Sequence, residues 1–194
     1  MRANVKSIIY FALVMIGVGL IPAPVGSQVF FSARGLLSSH FQKSERVEFV
    51  RVRPTGDSKR RVERKIGHAL KRAEYTFYVA RTAGRPDGFA LFDSEKGQHE
   101  PIDVATFFDA SGQVGRVEIV AYREAYGDGI RSNGFRKQFV GRTGRSTFRV
   151  GNDIDVISGA TISSRSLTRA VHRATVLLDE LVLPKSGSQL QAKR

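Results

Sequence analysis

Near its end the chain reads Leu167-Thr168-Arg169-Ala170-Val171-His172-Arg173-Ala174-Thr175-Val176-Leu177-Leu178-Asp179-Glu180-Leu181. Leu167, Ala170, Val171, Ala174, Leu177, Leu178 and Leu181 recur at helical spacing and Pro184 closes the run, which predicts a long amphipathic helix. Such a helix needs a layer to bury its apolar stripe. Upstream, residues 75–81, 89–93, 102–109 and 114–122 read as strands, separated by Gly84-Arg85-Pro86-Asp87-Gly88, by residues 95–101 and by Ser111-Gly112. Turns this short imply antiparallel neighbours. The expected class is α+β: an antiparallel sheet packed with the long C-terminal amphipathic helix and a shorter basic N-terminal helix, the helices on one face.

The shorter helix comes from the region before residue 75. Val47, Phe49 and Val52 alternate imperfectly with charged residues and suggest an edge strand, ended by Pro54-Thr55-Gly56. Asp57 or Ser58 can cap the helix that follows, in which Val62, Ile66, Ala69, Leu70 and Ala73 share a face. Between Arg51 and Arg72 stand nine Lys/Arg and two Asp/Glu, so its outer side is either a solvated face or a docking surface for lipid headgroups or an acidic partner.

The amino terminus reads as an address. Arg2 and Lys6 precede an uncharged run over residues 8–21, followed by Pro22, Pro24, Gly26 and Ser27. That order matches a secretory signal, and the run is shorter than the about 20 residues a spanning helix needs, so cleavage after Ser27 is expected. An uncleaved anchor, with Val25, Val29, Phe30 and Phe31 extending the apolar stretch, is the alternative. Both place the remainder outside the cytoplasm, in a periplasmic or other extracytoplasmic space. The expected organisation is a signal peptide or N-terminal membrane anchor over 1–27, a strand and basic helix region over 28–74, the main domain over 75–183 and a disordered tail over 184–194.

A chain of 194 residues supports a self-sufficient core. The absence of cysteine excludes thiol nucleophiles, thiolate-ligated zinc, iron–sulfur clusters and thioether-attached haem. The formal charge of +13 becomes +11 without Arg2 and Lys6. It favours acidic partners in general, but no nucleic-acid-binding fingerprint is present and an exported protein rarely meets chromosomal DNA. His40, His68, His99 and His172 are scattered, so no metal site is expected.

Chemistry concentrates just before the long helix, in Asp153-Ile154-Asp155-Val156-Ile157-Ser158-Gly159-Ala160-Thr161-Ile162-Ser163-Ser164. A strand end, a small-residue turn and several hydroxyls would lie beside unpaired helix amides, which favour an anion such as phosphate. Serine and threonine are also ordinary N-cap residues, so on physics alone the hydroxyls could simply start the helix.

The run Ser158-Gly159-Ala160-Thr161, preceded by Asp155 and followed by Ile162-Ser163 and a helix, resembles the flavinylation motif of the FMN-binding domain family. That family includes the flavin subunits of the sodium-pumping NADH:quinone reductase and of Rnf-type complexes. The resemblance continues upstream in Gly97-Gln98-His99-Glu100-Pro101-Ile102, in Tyr122-Arg123-Glu124 and in Phe135-Arg136-Lys137-Gln138-Phe139-Val140-Gly141. It implies FMN joined to Thr161 through a phosphoester, installed outside the cytoplasm by a dedicated flavin transferase. Asp155, Ser158, Gly159 and Ala160 would form the recognised turn, Ser163 would join them in binding the cofactor, and His99 and Glu100 would line the pocket. Many relatives read Glu-Thr-Pro-Gly-Leu-Gly where this chain has Glu124-Ala125-Tyr126-Gly127-Asp128-Gly129. Gly127 and Gly129 can still admit a flat ring, and Tyr126 can stack on it or cover a core edge. Arg131, Arg136, Arg165 and Arg169 are candidates for favouring anionic flavin by Coulomb attraction.

The flavin would supply the redox chemistry, so no catalytic side chain is required. The implied role is an exported electron carrier or redox-complex subunit, not a stand-alone catalyst. It would relay electrons for a membrane-associated system whose partner is a quinone-linked enzyme or a cytochrome. Two alternatives stand beside it: a module holding FMN without a covalent bond in a sensory or assembly role, and a basic exported scaffold protein.

Overall fold

A computed structural model describes residues 28–183 of the chain. The expected leader over 1–27 and tail over 184–194 lie outside the described residues. Six strands form one wholly antiparallel sheet: β1 (Gln28–Val29), β2 (Arg46–Val52), β3 (Tyr75–Thr82), β4 (Arg85–Lys96), β5 (Pro101–Asp109) and β6 (Val114–Tyr122), in the order β1-β6-β5-β4-β3-β2. From β2 to β6 the sheet is a meander, which the short turns dictate. The helices are α1 (Ala33–His40), α2 (Gly56–Ile66), α3 (Asn133–Lys137) and α4 (Thr161–Leu181).

The α+β class, the antiparallel sheet and the long helix packed on it are as expected. The 21 residues of α4 lay Leu167, Ala170, Val171, Ala174, Leu177 and Leu178 on the sheet. They meet Phe77 and Val79 of β3, Phe89 and Leu91 of β4, Ile102 and Val104 of β5, and Val117 and Ile119 of β6. Burying side chains of this kind contributes about 1.5–3 kcal/mol each relative to exposure, before conformational entropy is charged against it.

Three local expectations need correction. The basic helix α2 is preceded by Thr55 as its N-cap, not by Asp57 or Ser58, and the Ser58 hydroxyl accepts from the Thr55 amide at 3.1 Å. It stops at Ile66 and does not reach Ala73, because Gly67 follows with φ +76°, a left-handed conformation that ends a helix. The helices also occupy both faces. On the reverse face Leu36 and Phe41 cover Ala80, Ala90, Ala105 and Phe107, through α1, which sequence periodicity did not reveal. With both faces covered in part, β3 to β5 lose the clean alternation of a half-exposed strand.

The cations of α2 turn partly inward. Arg61 reaches Glu180 at 2.9 Å, and Lys65 reaches Glu180 at 3.0 Å and Asp179 at 3.4 Å, tying α2 to the end of α4. A buried cluster fixes the middle of α4 to β4. Arg173 contacts Asp93 at 2.6 Å and Glu95 at 2.5 Å, with all three residues less than 8% exposed. Lys71 and Arg72 close it from outside, at 3.1 Å from Glu95 and 3.2 Å from Asp93.

Candidate functional site

At one end of the sheet β4 stops at Lys96, β5 starts at Pro101 and β6 stops at Tyr122, and the amino end of α4 lies over them. The Ser166 hydroxyl sets this register by donating to the Lys96 carbonyl at 2.7 Å. Glu124, just beyond β6, accepts from the amides of His99 and Glu100 at 2.7 and 3.1 Å, which binds the turn over residues 97–100 to the loop over 124–130. A side chain at Gly97 would collide with the Glu124 carboxylate and the Glu100 carbonyl. His99 and Glu100 themselves project into solvent.

The 124–130 loop in turn rests on α4. The Tyr122 hydroxyl donates to the Tyr126 carbonyl at 2.5 Å and therefore receives the Ser163 hydroxyl, 2.8 Å away. Gly127, with φ +89°, packs so closely that a Cβ would lie 2.6 Å from Ser163 Oγ and 2.8 Å from the Tyr122 oxygen. Only glycine meets both demands. A Cβ on Gly129 would lie 3.1 Å from Ile157. Burial, with the Glu124 and Asp128 charges, pushes the Tyr122 phenol up against the opposing Ser163 hydrogen bond, so it stays a proton donor at neutral pH. Tyr126 covers no core edge: the residue is 85% exposed.

Thr161 is the first residue of α4 and is exposed. The hydroxyl-cap reading does not hold, because the N-cap is Ala160 and no side chain caps the helix. The first bond into the helix comes from the Ser164 amide to the Ala160 carbonyl at 2.8 Å, which leaves the amides of Thr161, Ile162 and Ser163 without a protein acceptor. The neighbouring hydroxyls divide clearly. Ser163 is held by Tyr122, Ser164 accepts from the Ile157 amide, Ser166 binds Lys96 and Thr168 donates to the Ser164 carbonyl. The hydroxyls of Ser158 and Thr161 are exposed and make no hydrogen bond among the described residues. Asp155 is exposed, with its amide held by Gln138 at 2.7 Å.

The four candidate arginines fare differently. Arg136 is bound to Glu118 and to the carbonyls of Val117 and Arg131. Arg131 lies over the Phe30 ring at 3.7 Å, and Arg169 turns toward Ser166 and Glu95. Arg165 is exposed without a partner, one turn along α4 from Thr161. A cavity of about 670 Å³ lined by His40, Phe41, Lys43 and Asp87 opens at the other end of the strands and is separate from this site.

In the sequence Tyr122 and Glu124 stand only as members of a motif, with no sign of the contacts they make. Nothing local marks Glu124 as the acceptor for a turn 24 residues away.

Three free helix amides with an uncommitted hydroxyl beside them give this turn of an α+β domain the chemistry to receive an anion such as a phosphate group. Residues 97–176, which hold the loops of this site and the amino end of α4, match the family model of the FMN-binding domain. The domain binds flavin, and its cofactor is FMN. No curated protein matches the chain.

Proposed function

We propose that this protein is an exported electron-transfer flavoprotein carrying FMN as a phosphoester of Thr161. The single observation that supports it best is the state of the hydroxyls. Of those on α4's first two turns, Thr161 alone is exposed and unbonded, beside free amides suited to a phosphate.

FMN supplies the redox chemistry. The chain's own residues do the rest. Asp155, Ser158, Gly159 and Ala160 shape the turn, and the amides of Thr161, Ile162 and Ser163 receive the phosphate. Tyr122 and Ser163 hold Gly127 close so that the backbone of the 124–130 loop can face a flat ring. His99 and Glu100 border the same space from the turn that Glu124 holds, and Tyr126 is free to fold onto the ring. A phosphoester makes the cofactor permanent, which suits a protein that cannot draw on a cytoplasmic FMN pool. A flavin transferase would install it, and a quinone-linked enzyme or cytochrome would exchange electrons with it at the membrane. No helix among the described residues is long and apolar enough to cross a membrane, so anchoring would fall to the first 27 residues. The remaining exposed cations of α2 could add attraction to anionic lipid.

Intact-mass analysis after coexpression with a flavin transferase should show one added FMN minus water. The increment should vanish in Thr161→Val and persist in Ser158→Ala. An adduct retained in Thr161→Val would move the attachment site. A yellow protein that releases all its flavin on acid denaturation would replace the ester by non-covalent binding, and a colourless one would return the chain to the scaffold reading.

A further inference from the structure

The first turn of α4 leaves its own dipole unanswered. The helix has no side-chain cap and no acidic residue there, and the amides of Thr161, Ile162 and Ser163 have no protein acceptor. Negative charge is favoured at such an end and positive charge is not. The chain nevertheless places Arg165 one turn in. Thr161, Ile162 and Arg165 are exposed, whereas Ser163, Ser164, Ser166, Leu167 and Thr168 are buried, so Thr161 and Arg165 share the solvent side of the helix. Residues four apart bring their Cβ atoms to about 5–6 Å, and a helical side chain leans toward the turn before its own Cα. By that geometry the reach of Arg165 includes the turn that carries the Thr161 hydroxyl. Its guanidinium makes no ion pair or hydrogen bond among the described residues, and neither Glu100, Asp128 nor Asp155 on the neighbouring loops pairs with it. The other cations of this end are placed differently. Arg169 turns to Ser166 at 2.8 Å and to Glu95 at 3.7 Å, Arg131 lies on the Phe30 ring at 3.7 Å, and Lys96 and Lys137 belong to β4 and α3.

We propose that Arg165 is the phosphate clamp of this site: its guanidinium binds the FMN phosphate from the outer side of α4, while the free amides bind it from the helix end. The proposal rests on the Thr161 reading above and adds the residue that neutralises the anion. A cation that opposes the start of its own helix and pairs with nothing is a local inconsistency, and inconsistencies of this kind belong to binding sites. The phosphate resolves it. An anion between the amides and the guanidinium is favoured by both and screens each from the other. The planar fork of arginine matches a pair of phosphate oxygens, which the ammonium of lysine meets only as a point charge.

The test titrates the full chain, produced without a flavin transferase, with FMN and with riboflavin, which has the same ring and no phosphate, and follows flavin fluorescence. The parent should bind FMN more tightly than riboflavin. Arg165→Gln should weaken FMN at least about 10-fold, the scale of a charge-assisted hydrogen bond, and leave riboflavin within about twofold. Arg165→Lys should recover only part of that loss. Arg64→Gln is the charge control and should match the parent, because it removes an exposed cation from α2, whose Arg61 and Lys65 pair with the other end of α4. Urea denaturation of the flavin-free chain separates binding from folding: Arg165→Gln should hold or raise the midpoint, since it takes a cation from the positive end of a helix. Unchanged FMN affinity in Arg165→Gln, equal weakening of FMN and riboflavin, full recovery by lysine, equal weakening by Arg64→Gln, a lowered urea midpoint, or a parent that does not prefer FMN would each overturn the clamp. Intact mass after coexpression with the transferase is scored separately. An adduct on Thr161 with no effect of Arg165→Gln sinks the clamp alone, and the clamp pattern without an adduct sinks the ester and keeps the phosphate site.

Discussion

Tyr122 joins the sheet to the site with one oxygen. It ends β6 with its ring in the core, and its hydroxyl serves both the Tyr126 carbonyl and Ser163. Removing that oxygen leaves a buried serine hydroxyl and a loop carbonyl without their partner. Tyr122→Phe should lower stability by about 1–2 kcal/mol, measured by urea denaturation. It should also reduce FMN loading without abolishing it, because Thr161 and the free amides are untouched. Unchanged stability and loading would mean that the 124–130 loop holds its position without this contact.

At the scale of elements, α4 is fastened by charge as well as by its apolar stripe. Arg173 sits inside that stripe because Asp93 and Glu95 of β4 meet it there, and these contacts hold its guanidinium above and the Glu95 carboxyl below their usual values, against burial, which opposes both. Arg173→Met would leave two buried carboxylates facing each other and should cost about 3–5 kcal/mol. Removing the two carboxylates as well, with Asp93→Asn and Glu95→Gln in the same chain, should recover a large part of that loss, and comparing the triple variant with Arg173→Met separates charge from packing. No recovery would assign the effect to lost packing alone.

For the whole molecule, pH acts through His172. Its ring stacks on Phe148 at 4.5 Å, and burial, helped by His68, brings its pKa down from 6.5 to about 4. Between those values the unfolded chain takes up a proton that the folded one refuses, so stability should fall as pH drops from about 6.5 toward 4. His40, pushed down by burial and by Arg116, adds to the same slope. Urea midpoints between pH 7.5 and pH 4.5 should show the decline, and His172→Phe, which keeps a ring against Phe148, should flatten it. An unchanged slope in that variant would place the titration elsewhere.

What the sequence determined by itself is what depends on neighbours along the chain. Period-2 and period-3.6 patterns, turn residues and a terminal proline led to the meander, to α4 and to the α+β class, and a contiguous motif singled out Thr161. Local signals failed where long-range contacts decide. Helix α1 has too short a pattern to stand out, and its apolar residues acquire meaning only against Ala90 and Phe107. Arg173 reads as an interruption of the stripe until β4 brings two carboxylates to it. Arg131, Arg136 and Arg169 read as cations available to a cofactor until their partners arrive from other segments. Only the tertiary structure decided which charges remain free at the site, because the pairing of a charge depends on distances between segments that the sequence does not contain.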